Sequence, residues 1–163
     1  MKSTRVRTLR GTITPTGGKA EKQLILNDQL INRGLKVTGF FVWPQTVGTT
    51  STRVCNAILS YAALASGDVV MDAGDNTQFG WAYYAQVASV PSSGPTESGL
   101  QAAYSGYDNG LIDPDHIINR DLFISLRFSS TAVYNYLIVC ELLELTDDEA
   151  IVTIIKENSQ SIE

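Results

Sequence analysis

The residue types best suited to chemistry lie around the only histidine of this 163-residue chain. Asp113 and Asp115 precede His116 in the sequence, and Asp121 follows it. Carboxylate oxygens carried on loops are ligands that Ca²⁺ prefers. The spacing lacks the glycine and the final glutamate of a helix-loop-helix calcium loop, so two interpretations stay open. The three aspartates either bind Ca²⁺ or cap turns through their own backbone; no other cofactor is expected.

No nucleophilic or phosphate-binding motif accompanies this histidine. The chain contains none of the patterns GxGxxG, GxxxxGK[ST], HExxH or GxSxG, which would each give an enzyme a defined mechanism. A histidine without partners fixed by sequence cannot be assigned as a general base. We therefore predict that the protein is not an enzyme.

Aromatic residues offer a second kind of site, because planar rings can cover the apolar face of a sugar. Trp81 and Tyr83 share one parity of the run GWAYYA and are predicted to face the core. The rings left for ligand stacking are Tyr84, Tyr104 and Tyr107. These residues support an alternative function, a carbohydrate-binding β-sandwich module.

Charge is distributed unevenly along the chain. Residues 1–53 hold nine basic residues and two acids, a formal +7, whereas residues 54–163 hold three basic residues and fifteen acids, a formal −12. The basic residues nearest the N-terminus are Lys2, Arg5, Arg7 and Arg10. Acids cluster at Glu141, Glu144, Asp147, Asp148 and Glu149. Such asymmetry indicates a nucleic-acid contact or a basic segment lying on an acidic surface. We predict a homo-oligomer in which the basic arm of one copy lies on these acids of a neighbour, with a solvated tail as the alternative.

Two cysteines complete the reactive side chains. Cys55 and Cys140 lie far apart on apolar strand patterns, without CxxC spacing or clustered histidines. This arrangement argues against a metal site and against a disulfide framework. Both are predicted to be reduced core residues, as unpaired cysteines usually are.

The elements that must position these residues are mainly strands. Apolar residues alternate with a period of two in several runs, most clearly in DLFISLRF and in the long run YNYLIVCELLEL. Thr146 and Glu149 have the spacing of a capping box, which predicts a helix over 147–158 whose stripe of Ile151, Ile154 and Ile155 packs on the outward face of the last strand. Residues 88–114 are rich in Ser, Gly and Pro and are predicted to be a long recognition loop.

Together these patterns predict an all-β fold, an antiparallel β-sandwich of about eight strands with one short C-terminal helix. Residues 1–14 are predicted to be a basic N-terminal arm or a first strand, and residues 15–163 a single β-sandwich domain. No apolar run reaches the length of about 18 residues that a membrane span needs, and MKSTRVRTLR is not followed by an apolar signal segment. We expect no signal peptide, no transmembrane segment and no membrane partner.

A basic N-terminal arm, about eight strands, long Ser/Gly/Pro connections and a C-terminal helix resemble the single jelly-roll coat proteins of small icosahedral viruses. The resemblance is one of architecture over nearly the whole chain. It implies a structural virion protein, made in the host cytoplasm and located in the virion. Such a capsid subunit would self-assemble through sandwich edges, end loops and the arm residues Lys2, Arg5, Arg7 and Arg10. It also implies other virion proteins, and nucleic acid contacted by the arm, as partners.

Overall fold

The computed structural model describes residues 2–14, 16–24, 32–46, 53–64, 70–86, 110–128 and 132–160. These residues form eight strands and one helix, so the prediction of an all-β sandwich with a C-terminal helix is confirmed. The elements are β1 (Lys2–Ile13), β2 (Lys19–Leu24), β3 (Arg33–Pro44), β4 (Arg53–Ser60), β5 (Gln78–Gln86), β6 (Leu111–Ile112), β7 (Leu122–Phe128), β8 (Tyr134–Glu144) and α1 (Asp147–Gln160).

The strand order follows the nested pairing of a jelly roll except at β6. One sheet has the order β1-β8-β3 and the other β2-β7-β4-β5-β6, and the paired strands are antiparallel. The first strand therefore pairs with the eighth, the second with the seventh, and the fourth with the fifth. β6 is hydrogen-bonded to β5 at the edge of the five-stranded sheet, with Gly80 opposite Ile112 and Trp81 opposite Leu111. Gly110, just before β6, also donates its N–H to the carbonyl oxygen of Phe40 on β3 at 2.8 Å. The nested pairs of the other strands are those of a long hairpin rolled up as in a jelly roll.

The core lies between the two sheets. Many of its side chains come from the inward-facing sides of β7 and β8. On each of these strands residues at alternate positions are buried, as the period of two predicts. These residues are Tyr134, Tyr136, Ile138 and Cys140 on β8, and Leu122, Ile124, Leu126 and Phe128 on β7. Cys55 and Cys140 are both buried and unlinked, which confirms the prediction of core thiols. Burial raises the pKa of both, that of Cys140 to about 11, so neither forms a thiolate at neutral pH.

The basic N-terminal segment is the first strand of the sandwich and not a separate arm. β1 pairs with β8 along its length, from Lys2 opposite Glu144 to Ile13 opposite Tyr134. Val6 lies opposite Glu141 in the same ladder, so the basic segment and two of the predicted interface acids meet within one chain. β8 of the same chain thus holds this segment by backbone pairing, and the contact of these acids with a neighbouring copy stays a prediction.

The capping box forms as predicted and starts α1 at Asp147. The N–H of Thr146 donates to Oε2 of Glu149 at 2.9 Å, and the N–H of Glu149 donates to Oγ1 of Thr146 at 3.4 Å. Asp147, Asp148 and Glu149 also place negative charge on the first turn, where it interacts favourably with the helix dipole. The helix runs to Gln160, slightly beyond the predicted end.

The packing face of α1 differs from the prediction. Ala150, Thr153 and Glu157 are buried, whereas Ile151 and Ile155 are 52% and 60% exposed. The helix packs on the end of β8 and on the segment that precedes β7: Ala150 clusters with Leu143 and Leu145, and Ile117 packs against that cluster. The N–H of Asn119 donates to Oε1 of Glu157 at 2.6 Å, and this bond holds the polar face inward. The isoleucine stripe therefore does not cover the outward face of β8.

Thr146→Ala is expected to lower the free energy of unfolding by about 1 kcal/mol, because the Glu149 N–H loses its hydroxyl acceptor at the helix start. Urea denaturation followed by circular dichroism measures the change. Thr14→Ala, at an exposed position outside the strands, is the matched control and should change stability by less than about 0.5 kcal/mol. Equal effects of the two substitutions would contradict the capping role.

Candidate binding cavity beside the C-terminal helix

A cavity of about 430 Å³ opens between α1 and the turn that contains Asp113 and Asp115. This volume lies in the usual range for small-ligand sites. Its apolar wall consists of Ile117, Leu145 and Val152, and the ring of Tyr61 also lines it. The cavity exists because a helix after the last strand of the sandwich packs back on the chain that enters β7.

The polar lining of this cavity is predominantly acidic. The turn contributes Asp113 and Asp115, and α1 contributes Asp148, Glu149 and Glu157, whereas Lys156 is the one basic residue among the described lining residues. The fold thus brings two of the predicted calcium ligands together with two of the predicted interface acids. Lys156 Nζ lies 3.8 Å from Asp115 Oδ2, but both side chains are largely exposed, so water screens this ion pair.

Glu157 is the deepest carboxyl of the cavity. Its side chain is 6% exposed, and its Oε1 accepts the Asn119 N–H. The other oxygen, Oε2, is also buried. Burial raises the pKa of Glu157, while hydrogen bonds from the backbone of Asn119 and Arg120 and the charge of Arg120 act against that rise. The backbone that precedes β7 therefore holds this carboxyl group.

The hydroxyl of Tyr61 has a raised pKa. Burial is the largest cause, and the negative charges of Glu157, Asp113 and Asp115 raise this pKa further. Tyr61 and Glu157 also line a second cavity of about 290 Å³.

The three calcium candidates do not converge. Asp113 Oδ1 accepts the Asp115 N–H at 2.9 Å, which is a turn-capping bond, and Asp121 Oδ2 accepts a hydrogen bond from Gln23 Nε2 at 2.6 Å. Asp121 lines the second cavity and not the first. Across the described ranges no three His, Cys, Asp or Glu side chains are placed to hold a metal ion. The arrangement of Asp113 matches the turn-capping alternative.

His116 is a structural residue of the core. Its Nε2 accepts the N–H of Val37 at 2.8 Å, and its Nδ1 therefore donates to the carbonyl oxygen of Asp113. The ring is 2% exposed and stacks on Phe79, with the ring centroids 4.6 Å apart. Burial lowers the pKa of His116, so the neutral ring that these two hydrogen bonds require is the stable form.

Tyr84 cannot stack on a ligand, so this part of the prediction is wrong. Its side chain is buried, and its ring meets that of Tyr134 edge-on in the core. The exposed aromatic of β5 is Tyr83, on the opposite parity. Tyr104 and Tyr107 lie outside the described residues, as does most of the predicted loop 88–114.

The remaining predicted interface acids take part in contacts within the chain. Asp147 Oδ1 accepts a hydrogen bond from Asn32 Nδ2 at 2.7 Å, next to the capping glutamate Glu149. Glu141 lies opposite Lys36 of β3 in the ladder between β3 and β8. Asp147 is therefore hydrogen-bonded within the chain, and the role of these acids in an interface stays a prediction.

Part of the exposed surface of α1 is apolar. Ile151, Val152 and Ile155 are all exposed by half or more, and they are adjacent on the helix because their spacing follows its turn. We call these three residues the outer helix face. It is concentrated on one element, unlike the isolated exposed residues Val6 and Leu111.

No helix in the described part of the chain is long and apolar enough to cross a membrane. Comparison with protein-family models and with curated proteins finds no match for this chain.

Proposed function

We propose that the protein is a structural virion protein, a capsid subunit that assembles with copies of itself. The observation that carries this proposal is the jelly-roll strand order, in which β1 pairs with β8, β2 with β7 and β4 with β5. Jelly rolls of eight strands build viral shells, although the fold also serves other proteins. The surface features of this chain must therefore support the proposal as well.

The outer helix face supports assembly. Large apolar side chains that are grouped on one exposed surface mark contacts with other proteins more often than scattered ones do. Ile151, Val152 and Ile155 form such a group on a helix whose opposite side is already fixed to the sandwich. A contact with a second copy would remove these side chains from water.

Strand β1 supports a contact with an anionic partner. It is an edge strand, and its side chains at Lys2, Arg5, Arg7 and Arg10 are exposed. Charged side chains on an edge discourage the addition of another strand, so we expect subunits to meet through faces rather than through strand pairing. These basic residues lie on both faces of the edge, with Arg7 opposite Cys140 and Arg10 opposite Leu137, and nucleic acid is their proposed partner in the virion.

The carbohydrate-binding alternative has no comparable support. Among its three stacking candidates only Tyr84 is described, and its ring is in the core. We therefore keep the structural virion protein as the single proposed function.

Light scattering of the purified chain tests the proposal through its mass in solution. We expect a mass of many multiples of 17.7 kDa that increases with protein concentration. High salt should leave contacts of the outer helix face in place, because apolar contacts are not screened. A mass of 17.7 kDa at all concentrations and salt conditions would contradict the proposal.

A further inference from the structure

We propose that the turn of residues 113–116 is a latch that acid releases. The neutral ring of His116 fastens this turn to the edge of β3, and protonation of the ring frees the turn while the two sheets stay folded. The inference concerns a local opening within one chain. It does not depend on the assembly proposed above.

The ring of His116 connects this turn to β3. Its Nε2 accepts the N–H of Val37 at 2.8 Å, in the place where a neighbouring strand would offer a carbonyl oxygen. The ring is 2% exposed and stacks on Phe79, whereas the other three residues of the turn are exposed. The attachment of the turn to this edge therefore depends on where the imidazole lies.

The hydrogen bonds of the ring require its neutral form. Nδ1 donates to the carbonyl oxygen of Asp113, so an added proton goes to Nε2. Nε2 would then direct an N–H at the N–H of Val37, and Val37 would lose its acceptor. The pocket is also closed to water, which makes a positive charge inside it costly. We therefore expect the protonated ring to leave the pocket.

Charged groups of three elements act on the ring. The turn contributes Asp113 and Asp115, whose carboxylates favour the imidazolium, and β3 contributes Lys36, which disfavours it. On α1, Lys156 lies 3.8 Å from Asp115 and offsets part of its charge. β5 contributes the uncharged ring of Phe79. Because both aspartates are exposed, a ring that turns outward reaches water and negative charge together.

Backbone hydrogen bonds fix the chain on both sides of the turn. At its start, the N–H of Asp113 donates to the carbonyl oxygen of Phe79 at 2.8 Å. After its end, Leu35 and Ile118 exchange two hydrogen bonds, at 2.7 and 2.8 Å. β3 itself pairs with β8 from Arg33 to Pro44. These contacts join backbone atoms, which do not titrate, so acid acts on the turn and leaves its two anchors in place.

Release of the latch changes the surface that the chain presents. It uncovers one face of Phe79 and the N–H of Val37 on the edge of β3. It also moves Asp113 and Asp115, which line the cavity beside α1. An acidic environment would thus alter an apolar surface, a strand edge and a cavity wall without unfolding the sandwich.

Amide hydrogen exchange of the full chain, followed by NMR between pH 7 and pH 5, tests the proposal. Val37 reports on the latch, Leu35 on the anchor beside it, and Ile138, in the central strand β8, on global unfolding. Below the ordinary pKa of 6.5 the protection factor of Val37 should fall by about tenfold per pH unit, because opening takes up one proton. This factor should also lie at least about tenfold below those of Leu35 and Ile138.

Two outcomes of this measurement would overturn the proposal. Equal protection of Val37, Leu35 and Ile138 at every pH would mean that the ring leaves its pocket only when the whole chain unfolds. A protection factor of Val37 that does not change with pH would mean that the ring does not control the turn.

His116→Gln is the matched variant, because a glutamine oxygen can accept the Val37 N–H and does not titrate. It should remove the pH dependence of the Val37 protection factor. If this variant does not fold, low concentrations of urea provide a second measurement on the wild-type chain. A local opening exposes little surface, so urea should lower the protection of Ile138 and leave that of Val37 nearly unchanged. Unaltered pH dependence in His116→Gln, or equal urea dependence of the two amides, would contradict the latch.

Discussion

His116→Ala is expected to lower the free energy of unfolding by about 4 kcal/mol, the largest single-residue effect that we predict. The substitution removes a buried ring stacked on Phe79 and leaves the Val37 N–H without its acceptor. Urea denaturation measures the loss. His116→Phe retains an aromatic ring but not the acceptor, so it should cost less than His116→Ala. A loss below about 1 kcal/mol for His116→Ala would contradict the structural role of the ring.

The same histidine predicts how stability depends on pH. Burial and the charge of Lys36 lower its pKa, while Asp113 and Asp115 oppose the shift. As the pH falls below the ordinary value of 6.5, the unfolded chain binds a proton that the folded chain does not bind. Stability therefore falls toward acid, with a slope of up to about 1.4 kcal/mol per pH unit until the folded-state pKa is reached.

The comparison between wild type and His116→Phe isolates this contribution. Glu157, whose raised pKa favours the folded state at lower pH, is present in both proteins and cancels in the difference. The variant should lose less stability than wild type between pH 7 and pH 5. Equal pH dependence of the two proteins would show that His116 is not the titrating group.

Ile151→Lys combined with Ile155→Lys is expected to abolish the proposed self-assembly without unfolding the chain. Both side chains are more than half exposed, so the sandwich loses little packing, and lysine is a good helix former. A subunit contact over the outer helix face would instead have to bury two unpaired charges, which is costly. Sedimentation velocity should show a monomer, while circular dichroism should show unchanged folding.

Val70→Lys is the control for this experiment, because Val70 is an exposed apolar residue elsewhere on the sandwich. It should assemble as wild type does. Assembly of the double variant to the wild-type size would exclude the outer helix face as a subunit contact.

The strands and the helix start could be predicted because their signals are local. Period-2 alternation marked β7 and β8, and Thr146 with Glu149 marked the beginning of α1. The sequence left two alternatives for Lys2–Ile13, because four basic residues among apolar ones are compatible with an arm as well as with an edge strand. The ladder with β8, a contact between the two ends of the chain, decides between these alternatives.

The site was harder to predict because it depends on which faces pack. In GWAYYA both parities carry aromatic or small apolar residues, so the sequence does not specify that Tyr84 is inside and Tyr83 outside. On α1 the apolar stripe suggested the packing face, yet a hydrogen bond from Asn119 turns Glu157 inward. A glutamate near a helix end is usually exposed, and no sequence signal marks this one as buried.

Electron microscopy of the purified wild-type chain tests the central claim most directly. A self-assembling jelly-roll subunit should appear as shells, rings or tubes of uniform diameter at micromolar protein concentration. The Ile151→Lys, Ile155→Lys double variant, imaged under the same conditions, should show only single small particles. A field of single particles for the wild-type chain itself would contradict the proposal of a capsid subunit.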